Sequence, residues 1–212
     1  MSHTAVLWSF RRCPYAMRAR LGLASAGLKT ELREIVLRDK PEAFLAASKS
    51  ATVPCLDLGS EQIDESLDIM IWALEQNDPE HLLDMPAPGH ALIAECDGPF
   101  KAALDRTKYT TRYEHSDPIE ARAIASAFIT KIDTQLGSNP WLFGPQPKLA
   151  DLAILPFIRQ FAHIDQTWFA AQPWPTAQNW LAVFKASPRF AAIMQKYPPW
   201  QPSEVGSPFP ES

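Results

Sequence analysis

The sequence predicts an α/β domain of order βαβαββα followed by an all-α domain. Three observations carry this. In residues 6–74, short apolar runs of strand length alternate with apolar residues at helical spacing. Asn77 to Gly89 (NDPEHLLDMPAPG) is polar, holds three of the chain's 20 prolines and reads as an interdomain linker. Beyond it, helical spacing recurs in segment after segment and no period-2 strand stands out. The predicted domains are 1–78 and 90–212, joined by 79–89.

Val6, Leu7, Trp8 and Phe10 make the first strand. Pro14 suits the first turn of a helix, where its missing N–H costs nothing, so Cys13 falls at the N-cap. The helix over 14–26 carries Met17, Leu21 and Ala24 on one face, and Gly27 stands at its C′ position. Residues 30–37 (TELREIVL) form the second strand, and a strand–helix–strand unit sets its two strands parallel. A short helix follows over 40–47, with Pro41 and Glu42 in its first turn. In Thr52-Val53-Pro54-Cys55-Leu56 the proline excludes an interior strand position, so Pro54 opens the strand or sits in a cis turn. Leu58-Gly59-Ser60-Glu61 turns into a short strand over 62–64, and Ser66 caps an apolar helix over 67–74.

The helical half reads as segments 90–113, 118–136, 149–165, 176–186 and 188–197, separated by Ser-Asp-Pro, Gly-Ser-Asn-Pro and Pro-rich breaks. Pro156 lies inside the third of these and predicts a kink. The Pro- and Ser-rich tail over 198–212 predicts an extended arm or a disordered end.

Composition narrows the function classes. The 212 residues are 46% hydrophobic, ample for a globular core. Twenty Lys and Arg stand against 24 Asp and Glu, a net charge of -4 without a basic cluster of the kind nucleic acid requires, so nucleic acid is not an expected partner. No apolar run approaches the ~18 residues of a membrane span, and the N-terminus lacks a signal-peptide pattern; no membrane association and a cytoplasmic location are expected. Three cysteines, Cys13, Cys55 and Cys96, fit a reducing compartment. The histidines His3, His81, His90, His115 and His163 show no ligand spacing, so no metal is expected. Gly-rich phosphate loops and G-x-S-x-G are absent.

The chemistry concentrates in Phe10–Leu21 (FRRCPYAMRARL). Helix-terminal amides and the nearby Arg11, Arg12 and Arg18 favour an anion at Cys13, and the thiolate is the nucleophilic form. Ala16 fills the place where a C-x-x-C motif has its resolving thiol, so disulfide chemistry here needs a second thiol from outside the motif. Glu65 and Ser66 at a helix start offer a carboxylate, a hydroxyl and free N–H groups, a set suited to an amino acid's ammonium and carboxylate.

Cys13-Pro14-Tyr15-Ala16 followed by Arg18 resembles the active-site motif of glutaredoxins and of omega-class and related bacterial cysteine-type glutathione transferases. The order βαβαββα resembles the thioredoxin fold, and a helical second domain over it resembles the transferase arrangement. The resemblance implies glutathione as co-substrate, with Cys13 at its sulfur and Tyr15 against the tripeptide. It further implies Lys40 near the glycine carboxylate, the backbone of Val53 before cis-Pro54 at the cysteinyl part, and Glu65 and Ser66 at the γ-glutamyl end. In the same family the first long helix of the second domain lines the second-substrate pocket, which makes Tyr109, Arg112 and Trp180 candidates for it. A homodimer is also implied. The chain departs from the family at Lys148, which takes the place of the Ser or Thr that caps a buried helix three residues before Asp151; the lost cap is worth about 1 kcal/mol.

The expected function is a glutathione-dependent thiol transferase or reductase of omega-like type, working through a Cys13–glutathione mixed disulfide on a disulfide or small hydrophobic substrate. Two alternatives stand beside it. One is conjugation of glutathione to electrophiles, with Ser9, Tyr15 or Cys13 near the sulfur; the other is a glutathione-fold binding protein without catalysis.

Overall fold

β1 (Val6–Ser9) is the central strand of a five-stranded sheet in the order β4-β3-β1-β2-β5. Its four residues are all buried, as befits a strand covered on both faces. The computed structural model describes residues 4–113, 117–202 and 204–211; His3 and His115 lie outside them. β1 pairs in parallel with β2 (Thr30–Glu34), as a crossover through a helix requires. It pairs antiparallel with β3 (Cys55–Asp57), which pairs antiparallel with β4 (Gln62–Ile63). The crossover helix α1 (Pro14–Ala26) ends at Gly27 with φ 66°, a left-handed cap that glycine reaches without a Cβ clash. α2 (Glu42–Ala47) lies between β2 and β3 in the chain, and α3 (Ser66–Gln76) packs closely on α1. One sheet face is covered by a cluster of Val6, Trp8, Ile35, Phe44, Val53 and Cys55, with Cys13 packed against it.

The helical part comprises α4 (Ala87–Glu95), α5 (Lys101–Lys108), α6 (Pro118–Leu136), α7 (Leu149–Ala162), α8 (Gln166–Ala170) and α9 (Pro175–Ala186). The single helix expected over 90–113 is interrupted. A π-helical turn, Cys96–Phe100, separates α4 from α5 and contains Pro99, whose missing N–H the wider turn accommodates; a 3₁₀ turn, Thr110–Arg112, follows α5. α6 has the expected bounds, with Asp117 accepting from the Ile119 amide at 2.8 Å. α7 continues through Pro156. α8 is absent from the sequence reading because five residues give too little periodicity. Within this part Phe100 and Phe128 pack at 4.7 Å between ring centroids, and the Trp174 indole donates to Thr130 Oγ1 at 2.9 Å.

The expected division at 79–89 differs from the one observed at the C-terminal end. The chain forms two compact units, Met1–Leu83 with Ala186–Ser212, and Asp84–Lys185. α10 (Pro188–Ile193) packs on α1, where Arg189 donates to Ser25 Oγ and pairs with Glu80. The tail is neither a free arm nor shapeless in its described residues, which exclude Ser203 and Ser212. Ser207–Phe209 is β5, antiparallel to β2 at the sheet edge, and Phe209 is buried. A three-residue strand with a proline at its centre carries no readable alternation, and its pairing partner lies some 180 residues earlier.

Candidate functional site

Strand directions gather the candidate residues at one end of the sheet. β1 and β2 both run toward that end, so the segments after Ser9 and after Glu34 leave there. β3 runs the opposite way and enters there just after Val53-Pro54, and β4 leaves there just before Asp64-Glu65-Ser66. Cys13, the loop holding Lys40, the Val53–Pro54 peptide and the start of α3 therefore share one edge, although they span more than fifty residues of sequence.

Cys13 is the N-cap of α1, half-buried, with extended backbone (φ −71°, ψ 125°). Its amide donates to Phe10 O at 3.0 Å, closing the turn that leaves β1, and its Sγ lies 3.8 Å from the carbonyl oxygen of Val53. The Val53–Pro54 peptide is cis, so Pro54 opens β3 through a cis turn. Tyr15 is half-buried in the first turn of α1, and Ala16 is fully buried. Lys40 is half-buried, and its Nζ donates to Ala51 O at 2.9 Å, which ties it to the loop before the cis-proline.

The start of α3 differs from expectation by one residue. Glu65 is the N-cap and is exposed, whereas Ser66 is the first helical residue and is buried. The Ser66 hydroxyl faces inward and accepts from Arg18 Nη1 at 3.5 Å, so Arg18, expected beside the thiol, is a buried link between α1 and α3. Ser9 is no free hydroxyl either; it is fully buried and accepts from Arg20 Nη1 at 3.0 Å.

Two groups escaped the sequence reading. Arg20 and Glu34 form a buried pair behind the Cys13 turn, with Nη1 3.8 Å from Oε2. Burial pulls the Arg20 guanidinium down to about 10 and raises the Glu34 carboxyl above its usual value. Alternation in β2 does place Glu34 on the buried face with Thr30 and Leu32, and that was the available signal. The second group is Asp64. Burial alone would raise it, but the Ser50 amide at 3.0 Å and the Ser48 hydroxyl at 2.8 Å donate to it and leave it below its usual value. Its neighbour Cys55 is fully buried, and burial with Asp64 beside it pushes the thiol up to about 12. Cys55 is thus a protonated core thiol that donates to Ala47 O at 3.7 Å, unsuited to resolving a disulfide on Cys13.

In the helical unit Tyr109 and Arg112 come together, the guanidinium 4.8 Å above the ring, with Lys108 Nζ 4.9 Å from the same ring. Arg112 is exposed and Tyr109 half-buried. Trp180 does not join them. It is buried, and its indole donates to Asp151 Oδ1 at 3.1 Å. Among the described residues no group of three or more His, Cys, Asp or Glu is gathered to hold a metal, and no helix is long and apolar enough to cross a membrane.

A cysteine thus stands at the N-cap of the first helix of a thioredoxin-like sheet, close to a cis-proline, and a helical part follows. The chain matches the model for the glutathione S-transferase N-terminal domain over residues 7–81 and that for the C-terminal domain over residues 91–201. It belongs to the glutathione S-transferase family. It is 27% identical over 150 residues to a probable glutathione S-transferase DHAR2, chloroplastic, of Oryza sativa subsp. japonica, an alignment covering 68% of this chain and 50% of the relative. A second match, a probable glutathione transferase of Aplysia californica, is 37% identical over 57 residues, 27% of this chain and 62% of that protein. The chain thus spans half to three fifths of the length of these curated relatives. Among solved structures, a glutathione transferase family member from Pseudomonas fluorescens pf-5 with two glutathione bound superposes with a TM-score of 0.78 at 18% identity, covering 92% of this chain and 93% of that one.

Proposed function

We propose that the chain is a glutathione-dependent thiol transferase that works through Cys13. One observation carries the reading: Cys13 caps α1 beside the carbonyl before cis-Pro54, while Ala16 occupies the place of a resolving cysteine. The helix terminus favours the thiolate. In the proposed cycle the Cys13 thiolate attacks the glutathionyl sulfur of a mixed disulfide, forms Cys13–S–S–glutathione and releases the substrate thiolate. The thiolate of a second glutathione attacks the sulfur of that glutathione, so Cys13 leaves as thiolate and glutathione disulfide departs. Cys55, held protonated in the core, leaves resolution to the external thiol.

Glutathione would be held by Tyr15, Lys40, the Val53–Pro54 peptide, Glu65 and Ser66, with its γ-glutamyl carboxylate on the first amides of α3 and its ammonium on exposed Glu65. The relatives support this ligand, one of them having been solved with glutathione bound. Tyr109 and Arg112 are the proposed contacts for the second substrate, a small hydrophobic or disulfide molecule. The proposed setting is the reducing cytoplasm, where the thiols of Cys13, Cys55 and Cys96 stay reduced. Conjugation finds less support, because the Ser9 hydroxyl is buried and bonded to Arg20.

The test is intact mass after mixing reduced protein with glutathione disulfide, with peptide mapping of the adduct. One glutathionyl group on Cys13, removed by added glutathione and absent from Cys13→Ser, is the expected result, together with loss of mixed-disulfide turnover in Cys13→Ala. Full turnover by Cys13→Ala would overturn the reading.

A further inference from the structure

We propose that Arg20 and Glu34, buried behind the Cys13 turn, are positioning residues for Cys13, with Arg20 supplying a buried cation that favours its thiolate. The proposal rests on Cys13 being the reactive group.

The geometry is a grip on one residue of the turn. Arg20 Nη2 donates to the Arg11 carbonyl at 2.6 Å, and the Arg11 amide donates to Glu34 Oε1 at 2.6 Å. Both polar groups of the Arg11 backbone are thus held by charged side chains from α1 and β2. Arg20 is itself anchored on Ser9 Oγ at the end of β1, and the next backbone bond, Cys13 N–H to Phe10 O, completes the turn that presents the thiol. A displacement of Arg11 is therefore a displacement of Cys13.

Charge gives the second half of the argument. A buried ion pair used only as a brace is a poor choice, because the desolvation of both ions offsets their attraction. This pair is also incompletely satisfied: Arg20 Nη1 and Glu34 Oε2 stand 3.8 Å apart, and Arg20 Nε and Glu34 Oε2 are buried without a hydrogen-bond partner among the described residues. The field of Arg20 is not fully absorbed by Glu34. Glu34 from β2 and an ionised Cys13 at the start of α1 favour the charged form of Arg20, and Arg11 from the turn opposes it; the Tyr197 phenol from the C-terminal segment, pushed above its usual value by burial, is uncharged at neutral pH. Coupling is reciprocal, so an ionised Cys13 that favours charged Arg20 is favoured by it in turn.

The two members of the pair act on the thiol with opposite sign. Arg20→Met removes the cation and disfavours the thiolate. Glu34→Gln keeps an acceptor for the Arg11 amide, removes the opposing anion and favours the thiolate. A purely mechanical brace would move both variants the same way.

The experiment is alkylation of the full chain by iodoacetamide between pH 4 and 10, read by peptide mass at Cys13 with Cys55 and Cys96 as internal references, and with melting temperatures recorded in parallel. For Arg20→Met the midpoint of the Cys13 rate profile should rise and its rate at pH 6 should fall by about tenfold, the effect of losing one nearby opposite charge. Arg20→Lys should restore most of that rate, and Glu34→Gln should lower the midpoint. An unmoved midpoint in folded Arg20→Met, or shifts of the same sign in Arg20→Met and Glu34→Gln, overturns the proposal. Should Arg20→Met not fold, Glu34→Gln decides alone: a lowered midpoint supports the charge role and an unmoved or raised one refutes it. Alkylation reads the thiol without turnover, so failure of the thiol-transfer reading in Cys13→Ala appears separately from failure here.

Discussion

Asp151 shows how much one buried carboxylate organises in the helical unit. It is fully buried and accepts from the Leu142 amide and the Lys148 amide, each at 2.9 Å, and from the Trp180 indole. The second bond is half of a capping box; the other half is missing because Lys148 has no side-chain acceptor. Burial outweighs these donors and pushes Asp151 up to about 6. Because the folded value exceeds the unfolded one, the folded state binds more protons across this interval. The stabilising contribution is full below about pH 4 and is lost as pH rises through about 6. Relative to Asp151→Asn, the wild type should therefore lose about 2 kcal/mol between pH 4 and pH 7, as measured by urea unfolding at both pH values. A gap independent of pH would refute the shift. Asp151 and its defective cap were legible in the sequence, because capping is local. Its partner Trp180 was not, since 29 residues separate them and only the packing of α9 joins them.

Among elements, the contact of α1 with α3 fixes the site more than either helix does alone. Gly22 lies in α1 where a Cβ would stand 2.7 Å from Met70 Cα and 2.8 Å from its Cγ. Exchange for alanine gains about 1 kcal/mol of helix propensity in isolation, yet the obstacle here is backbone. Gly22→Ala should be net destabilising by about 1–3 kcal/mol in urea unfolding; a more stable variant would mean that the helices do not meet this closely. Such glycines are ambiguous in sequence, where they read as weak points of a helix. α1 and α6 were legible to the residue because Pro14 and Pro118 mark their first turns and Gly27 and Gly137 follow their last. The break at Cys96–Phe100 was not, because Gly98-Pro99 interrupts hydrogen bonding without interrupting the apolar period.

For the molecule as a whole, the chain returns to its first unit to finish the sheet. The Trp200 amide donates to Glu34 O at 2.7 Å, the Gly206 amide to Glu31 Oε1 at 2.8 Å and the Thr30 hydroxyl to Phe209 O at 3.2 Å. Arg33 packs on both Trp8 and Trp200, 4.9 and 4.6 Å from the ring centroids, where the two rings themselves meet edge to face at 5.2 Å. Each of these bonds ends on β2, the strand whose last residue, Glu34, holds the Cys13 turn. Phe209→Ala should destabilise the protein by about 3–5 kcal/mol in denaturant unfolding, the loss expected for a buried aromatic and not for a loose tail. A change within 0.5 kcal/mol, typical of surface sites, would show that β5 contributes little.

The sequence by itself determined the order βαβαββα of the first seven elements and the cysteine at a helix start, because each depends on residues within a few positions of one another. Periodicity, proline geometry and capping are local physics, and they can be read without a fold. Tertiary structure alone decided that Arg20 and Glu34 meet behind Cys13, that Ser9 and Ser66 turn inward to arginines, that Trp180 serves Asp151, and that residues 207–209 complete a sheet begun at residue 6. These are pairings of buried polar groups and strand edges over long separations. A buried donor must find an acceptor, but the sequence does not say which one the packing will bring within reach.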